Sequence, residues 1–121
     1  MCIRDSTWLV DADDHSHDGE WLANLDERFH MDLVAAAGNP EIARVHRAAT
    51  ERIRIVRQLD FTQPERIART YAEHGAILTA ILQRDAGQAT ALLQAHIGDS
   101  QAAVRKITLH RMYATRRAQA A

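Results

Sequence analysis

The sequence predicts an all-α fold, an antiparallel helical bundle, and three observations support this prediction. Apolar residues recur every three or four positions along most of the chain, which is the spacing of one helix face. Short segments rich in glycine, proline, asparagine or aspartate separate these stretches. No segment alternates apolar and polar residues as a strand would. Because short connections join helices that are antiparallel neighbours, an up-and-down bundle is expected.

The composition is that of one globular domain. The 121 residues are enough to bury a core, and 46% of them are hydrophobic. A formal net charge of −1 gives no general attraction to nucleic acid. The single cysteine, Cys2, excludes an internal disulfide and fits a cytoplasmic location. No apolar run is long enough to cross a membrane or to form a secretory signal.

The two ends of the chain are predicted to lie outside the bundle. Residues 1–6 look like translated sequencing adapter and are interpreted as non-native. Residues 7–19 are interpreted as the remnant of a helix followed by an acidic loop. The bundle is predicted over residues 20–113, and the alanine-rich residues 114–121 are expected to fray.

The first two long helices are predicted over residues 20–37 and from residue 40 to about residue 58. Between them, Gly38-Asn39-Pro40 is typical of a C-terminal glycine, an N-cap asparagine and a first-turn proline. The predicted buried positions of the first helix are Leu22, Leu25, Phe29, Leu33 and Ala37. Those of the second helix are Ile42, Val45, Ala49, Ile53 and Val56.

The last two helices are predicted over about residues 64–84 and from Asp85 to about Tyr113. Asp85 and Gln88 form a variant capping box, which favours a helix start at this point. The predicted buried face of the third long helix consists of Ile67, Tyr71, His74, Leu78 and Ile81. That of the fourth consists of Ala89, Leu92, Leu93, His96, Ala103, Val104 and Ile107.

Four residues with metal-ligating side chains lie on these predicted buried faces. Asp26 and His30 are four residues apart, so they share one face of a helix. A buried carboxylate requires a partner, and His74 and His96 are further candidates downstream. A single buried histidine is more often a hydrogen-bonded core residue than a ligand. Three of them together with a carboxylate indicate a metal site.

The positions of His74 and His96 favour a shared ion. Their midpoint is residue 85, the predicted turn, so in an antiparallel hairpin they lie at one height, about 16 Å from its tip. One carboxylate and three imidazoles suit a divalent metal. Zinc is the usual ion for three histidines, with nickel, manganese, iron and cobalt as alternatives. A centre of this kind is positively charged and would accept a small carboxylate in an open position.

This pattern resembles the FCD domain, the effector-binding and dimerisation module of GntR transcription regulators of the FadR subfamily. The resemblance covers about residues 20–113 and rests on Asp26-x-x-x-His30, Ala-Ala-Gly-Asn-Pro at 36–40, Glu73-His74-x-x-Ile77-Leu78 and His96-Ile97. It implies a homodimer of helical bundles, each binding a small organic acid beside a divalent metal. The ligands that it implies are Asp26, His30, His74 and His96.

Two parts of the family pattern have no counterpart in this sequence. The winged helix-turn-helix that precedes the bundle in such regulators is missing, so DNA binding is expected only through that N-terminal domain. The first one or two helices of the bundle are also predicted to be missing or reduced to residues 8–10.

Arg52 is the predicted effector-binding residue. It is the long basic residue nearest the predicted buried stripe of the second long helix, and a guanidinium facing the cavity would pair with a carboxylate of the effector. The alternative is an arginine at the edge of the core with its charge in solvent.

Three functions are compatible with these residues. The first is a ligand-sensing domain of a bacterial transcription regulator, which is not an enzyme. The second is a small metal-dependent hydrolase that uses the same Asp/His site. Against it, Glu73 is predicted to point about 100° around the helix from His74, away from the cavity. The third is a structural bundle whose histidines are core residues.

Overall fold

The computed structural model describes residues 7–10 and 18–120, and every element in those ranges is a helix. The five helices are α1 (Thr7–Val10), α2 (Gly19–Ala36), α3 (Pro40–Asp60), α4 (Pro64–Leu82) and α5 (Ala86–Ala120). The predicted all-α class is confirmed. The adapter-like residues 1–6 and most of the predicted acidic loop lie outside the described residues. Among the helices described, none is long and apolar enough to cross a membrane.

The helix ends agree with the signals in the sequence, with one exception. Asn39 accepts hydrogen bonds from the backbone N–H groups of Glu41 and Ile42, and Gly38 has a φ of +80°. Asp85 caps α5 by accepting from Gln88 N at 3.0 Å. The exception is the tail, where α5 continues to Ala120, beyond its predicted end near residue 113, while the fraying of residues 114–121 stays a prediction. Residues 114–120 contain mainly alanine and arginine, which have high helix propensity.

The chain forms two compact units, Met1–Ala72 and Glu73–Ala121, whose boundary falls within α4. In the first unit, Trp8 of the short helix α1 is only 1% exposed. Its indole lies edge-on to Phe29 of α2 and to Tyr71 of α4, with ring centroids 6.0 and 4.9 Å away. Because aromatic rings bury large areas, this trio ties α1 to two long helices.

The helices α2 and α3 pack through a polar face. The prediction that Ile42, Val45 and Ile53 are buried was wrong, because these side chains are 55%, 55% and 44% exposed. Thr50 is buried instead, and Arg57 is largely enclosed. The buried face of α3 is therefore turned by roughly a quarter of the helix circumference from the predicted one.

On α2, the prediction holds for its centre. Leu22 and Phe29 are buried, whereas Leu25 and Leu33 are half-buried. Ala37 is exposed because α2 ends one residue before it.

In the second unit, the end of α4 leads into α5 through residues 83–85. His74 and Leu78 of α4 are buried, as the spacing predicts, and among the described side chains of α5 the buried one is His96. The predicted apolar positions of α5 are half-buried, and its polar residues are mostly exposed. Gly98 does not interrupt the helix.

Candidate metal centre

In the first unit, α2 brings Asp26 and His30 together as predicted. Asp26 Oδ1 lies 3.3 Å from His30 Nε2, one helical turn further along. Asp26 is 4% exposed and His30 is half-buried. The pair is thus largely removed from water. In such a place a charged carboxylate costs free energy unless it has a partner.

The second oxygen of Asp26 is held by a residue that the sequence analysis missed. Arg57 Nε lies 2.9 Å from Asp26 Oδ2, and Arg57 Nη1 lies 3.8 Å from Glu27 Oε1. Arg54 also binds Glu27, through Nε at 3.0 Å and Nη2 at 3.2 Å. Two arginines of α3 therefore neutralise two adjacent acids of α2. The signal in the sequence that could have indicated these arginines was the pair of adjacent acids on a helix with a buried face. Buried carboxylates require cationic partners.

In the second unit, His74 and His96 face one another. Their Nε2 atoms are 3.2 Å apart, and their rings lie edge-on with centroids 4.8 Å apart. Both residues are buried, at 0% and 3% exposure. The prediction that residues equidistant from residue 85 lie at one height is confirmed for this pair.

Glu73 has a role that the sequence analysis assigned wrongly. Its carboxylate contacts His96 Nδ1, although it was predicted to point away from the histidines. A glutamate side chain is long enough to reach across to the neighbouring helix from a position beside His74, so the 100° step along α4 does not separate them. With Nδ1–H donated to Glu73, His96 presents the lone pair of Nε2, which is the tautomer of a metal-binding histidine.

The charged groups around Asp26 affect two further residues. Burial lowers the pKa of His46 below its ordinary value, and unfavourable electrostatic interactions with His30 and Arg57 lower it further. His46 is half-buried on α3. Burial raises the pKa of Asp60, and the nearby Asp26 carboxylate raises it too, while Arg66, 2.9 Å away, opposes the change.

The residues present fit a divalent ion by their chemistry and by their spacing within each pair. Two atoms about 2.0–2.2 Å from one ion are about 2.9–3.5 Å apart at the usual coordination angles. The observed separations are 3.3 Å for Asp26 with His30 and 3.2 Å for His74 with His96. These are hydrogen-bond distances too, so each pair also has a partner without an ion. One carboxylate oxygen and three imidazole nitrogens form a donor set suited to zinc and its neighbours.

Arg52, the predicted effector-binding residue, is exposed on α3. The arginine of this helix that reaches a predicted ligand is Arg57. A contact between Arg52 and an effector carboxylate stays a prediction.

Comparison with known proteins agrees with the resemblance seen in the sequence. The model of a family described as the FCD domain matches residues 9–99. The Nta operon transcriptional regulator of Aminobacter aminovorans is 33% identical over 95 residues, which cover 78% of this chain and 43% of that protein. The chain thus spans less than half the length of this curated relative. No solved structure gives a significant match. By the family match and the relative together, the chain belongs to the FCD domain family.

Proposed function

We propose that the chain is the ligand-sensing domain of a bacterial GntR-type transcription regulator of the FadR subfamily. In this proposal Asp26, His30, His74 and His96 bind one divalent ion, zinc in the first instance, and a small organic acid binds beside it. The observation that supports it is two pairs of donor atoms, Asp26 with the half-buried His30 and the buried His74 with His96, each with the spacing of two ligands on one ion. DNA binding would belong to a winged helix-turn-helix domain of the whole regulator, which would work in the cytoplasm.

The charges of the site explain why its ligand would be an anion. Asp26 is the one charged group among the four proposed ligands, and Arg57 offsets its charge. Arg54 similarly offsets Glu27. The carboxylate of Glu73, which contacts His96, would offset one of the two positive charges of a divalent ion. The remaining positive charge in a partly desolvated site would favour a carboxylate.

The residues of the chain would hold and orient the centre. When bound, the ion supplies a Lewis-acid position for a carboxylate oxygen of the effector. Glu73 keeps His96 in the tautomer that presents Nε2. An effector that binds one packing of the helices more tightly shifts the domain toward that packing, and this shift is the signal that a linked DNA-binding domain can read.

We infer that the domain is a sensor and not a hydrolase. A metal-dependent hydrolase of this type needs a carboxylate or imidazole that can take a proton from water beside the ion. Glu73, the carboxylate next to His74 in the sequence, binds His96 Nδ1 instead. Its contact is that of a residue that orients a ligand.

The test of this function is unfolding of the zinc-loaded protein in the presence of small mono-, di- and tricarboxylates. At an acid concentration of about 100 times its Kd, binding stabilises the folded state by about 2.7 kcal/mol, and we expect a clear rise in Tm. The metal-free protein and the neutral amides of the same acids are the controls, and neither should shift. Failure of every acid to raise the Tm of the zinc-loaded protein would contradict an acid-sensing role, and turnover of an ester would favour the hydrolase.

We also propose that the domain forms a homodimer through the exposed apolar face of α3, defined by Ile42, Val45 and Ile53. These large side chains are 44–55% exposed, and they follow one another at helical spacing. A contiguous apolar face of this kind is typical of a surface that a second protein covers.

The variant Val45→Glu is expected to convert the dimer into a monomer, because it would bury an unpaired carboxylate in the interface. The matched control is Ile55→Glu on the same helix. Ile55 is 71% exposed, and it lies about 200° around the helix from Ile53, outside the apolar face. The measurement is molar mass by light scattering after gel filtration. A dimer that Val45→Glu leaves intact would mean that another surface forms the interface.

A further inference from the structure

We propose that Arg57 is a positioning residue of the metal centre, which holds Asp26 so that only Oδ1 is available to the ion. This inference rests on the metal site proposed above. The two oxygens of Asp26 have different neighbours: Oδ1 lies 3.3 Å from His30 Nε2, and Oδ2 lies 2.9 Å from Arg57 Nε. One oxygen therefore faces a fellow ligand while the other is occupied by a guanidinium.

Arg57 is well suited to fix a carboxylate. Its side chain is only 15% exposed, so the ion pair is weakly screened by water. A guanidinium keeps its proton at any physiological pH and donates in fixed directions, unlike the mobile ammonium of lysine. Glu27 Oε1 lies 3.8 Å from Nη1, which is beyond hydrogen-bond distance, so it attracts the same guanidinium by charge alone. A carboxylate held in this way presents Oδ1 on the side of His30, while Oδ2 is engaged by the guanidinium.

The neighbouring Arg54 binds a different acid from Arg57 and has a different role. It lies three residues earlier on α3, and its guanidinium binds Glu27 with Nε and Nη2. Its side chain is 46% exposed, and Glu27 is not a proposed ligand. Arg54 therefore supports the packing of α3 on α2, whereas Arg57 contacts a proposed ligand directly.

Arg57 has a counterpart in Glu73. Glu73 contacts the Nδ1 atom of His96 and leaves Nε2 for the ion, just as Arg57 contacts Oδ2 of Asp26 and leaves Oδ1. In each unit, one proposed ligand is thus oriented by a charged residue that is not itself a proposed ligand. Partners of this kind typically change metal affinity by about 10–100-fold.

The experiment compares the whole chain with its Arg57→Gln, Arg57→Lys and Arg54→Gln variants. Zinc affinity is measured by competition with a chromophoric chelator, and the visible spectrum is recorded with saturating cobalt(II). We expect Arg57→Gln to lower zinc affinity by about 10–100-fold. We also expect weaker cobalt absorption, because a freed Asp26 can bind through both oxygens and raise the coordination number. Arg57→Lys should recover part of the affinity, because it keeps the charge. Arg54→Gln should leave the cobalt spectrum as in the wild type, because Arg54 pairs with Glu27 and not with a proposed ligand.

The cobalt spectrum at saturation separates positioning from a purely structural role. If Arg57→Gln lowers only the free energy of unfolding of the metal-free protein and leaves the cobalt spectrum unchanged, Arg57 does not position Asp26. If the wild type binds zinc and Arg57→Gln equals it in affinity and spectrum, the inference is wrong while the metal site stands. A folded wild type that binds neither zinc nor cobalt would overturn the site and this inference together.

Discussion

Replacing His96 with alanine is expected to remove nearly all bound metal from the purified protein. Sites with four protein ligands bind zinc with about 10–16 kcal/mol, so the loss of one ligand should cost about 3–4 kcal/mol, or about 10²–10³-fold in affinity. His96 is the ligand with the largest expected effect, because its replacement also leaves the Glu73 carboxylate without the imidazole that it binds. The measurement is metal content by elemental analysis, with about one ion per chain expected in the wild type.

The matched control for this variant is His110→Ala. His110 lies on the same helix, α5, and is exposed, so its replacement should leave the metal content unchanged. The variant His74→Ala should behave like His96→Ala, and His96→Gln tests the site with a polar side chain if the alanine variant does not fold. The proteins are best purified without a histidine tag, which binds metal itself. If folded wild type takes up neither zinc nor nickel, the proposal of a metal centre is wrong.

The pairing of the predicted ligands could be read from the sequence because it depends on regular geometry alone. A spacing of four residues places Asp26 and His30 on one helix face, and equal distances from residue 85 place His74 and His96 at one height. These rules bring the two members of each pair close together, and their rotamers then set the separations of 3.3 and 3.2 Å.

The residues that orient the ligands could not be found in this way. Whether Glu73 reaches His96 depends on the rotamer of a flexible side chain, and the angle between positions on a helix does not determine it. Arg57 was missed for a different reason, since the apolar periodicity of α3 indicated another face. That reasoning favoured Arg52, which the structure leaves exposed.

The error on α3 has a physical cause that hydrophobic periodicity does not capture. The face that α2 presents to α3 includes Asp26 and Glu27, and these carboxylates attract Arg54 and Arg57. Burying two carboxylates without cations would cost more than leaving isoleucine and valine exposed. The electrostatic requirement of α2 therefore decides the rotation of α3, and the apolar stripe is left on the surface.

Replacing Trp8 with alanine is expected to have the largest effect on stability. From the sequence, residues 8–10 are predicted to be the remnant of a lost helix, yet Trp8 is among the most buried side chains of the described residues. Removing a buried tryptophan typically costs about 3–5 kcal/mol, because the cavity that remains cannot collapse fully. Domains are stable by only about 5–15 kcal/mol, so a fall in Tm of about 10 °C or more is expected. The measurement is thermal and urea unfolding followed by far-UV circular dichroism, which mainly reports helix content.

The control is Trp21→Ala, which removes the same side chain from a position that is 37% exposed. The N-cap of α2 survives this change because Asp18 accepts its hydrogen bond from the backbone N–H of Trp21. The control should therefore cost much less than the Trp8 variant, about 1 kcal/mol. Equal unfolding temperatures for the two variants would mean that α1 is not docked in solution. A large difference would mean that four residues of helix, held by Trp8 between Phe29 and Tyr71, help to fix α2 and α4 in the first unit. The orientation of Asp26 and His30 would then depend on a segment that contains no ligand.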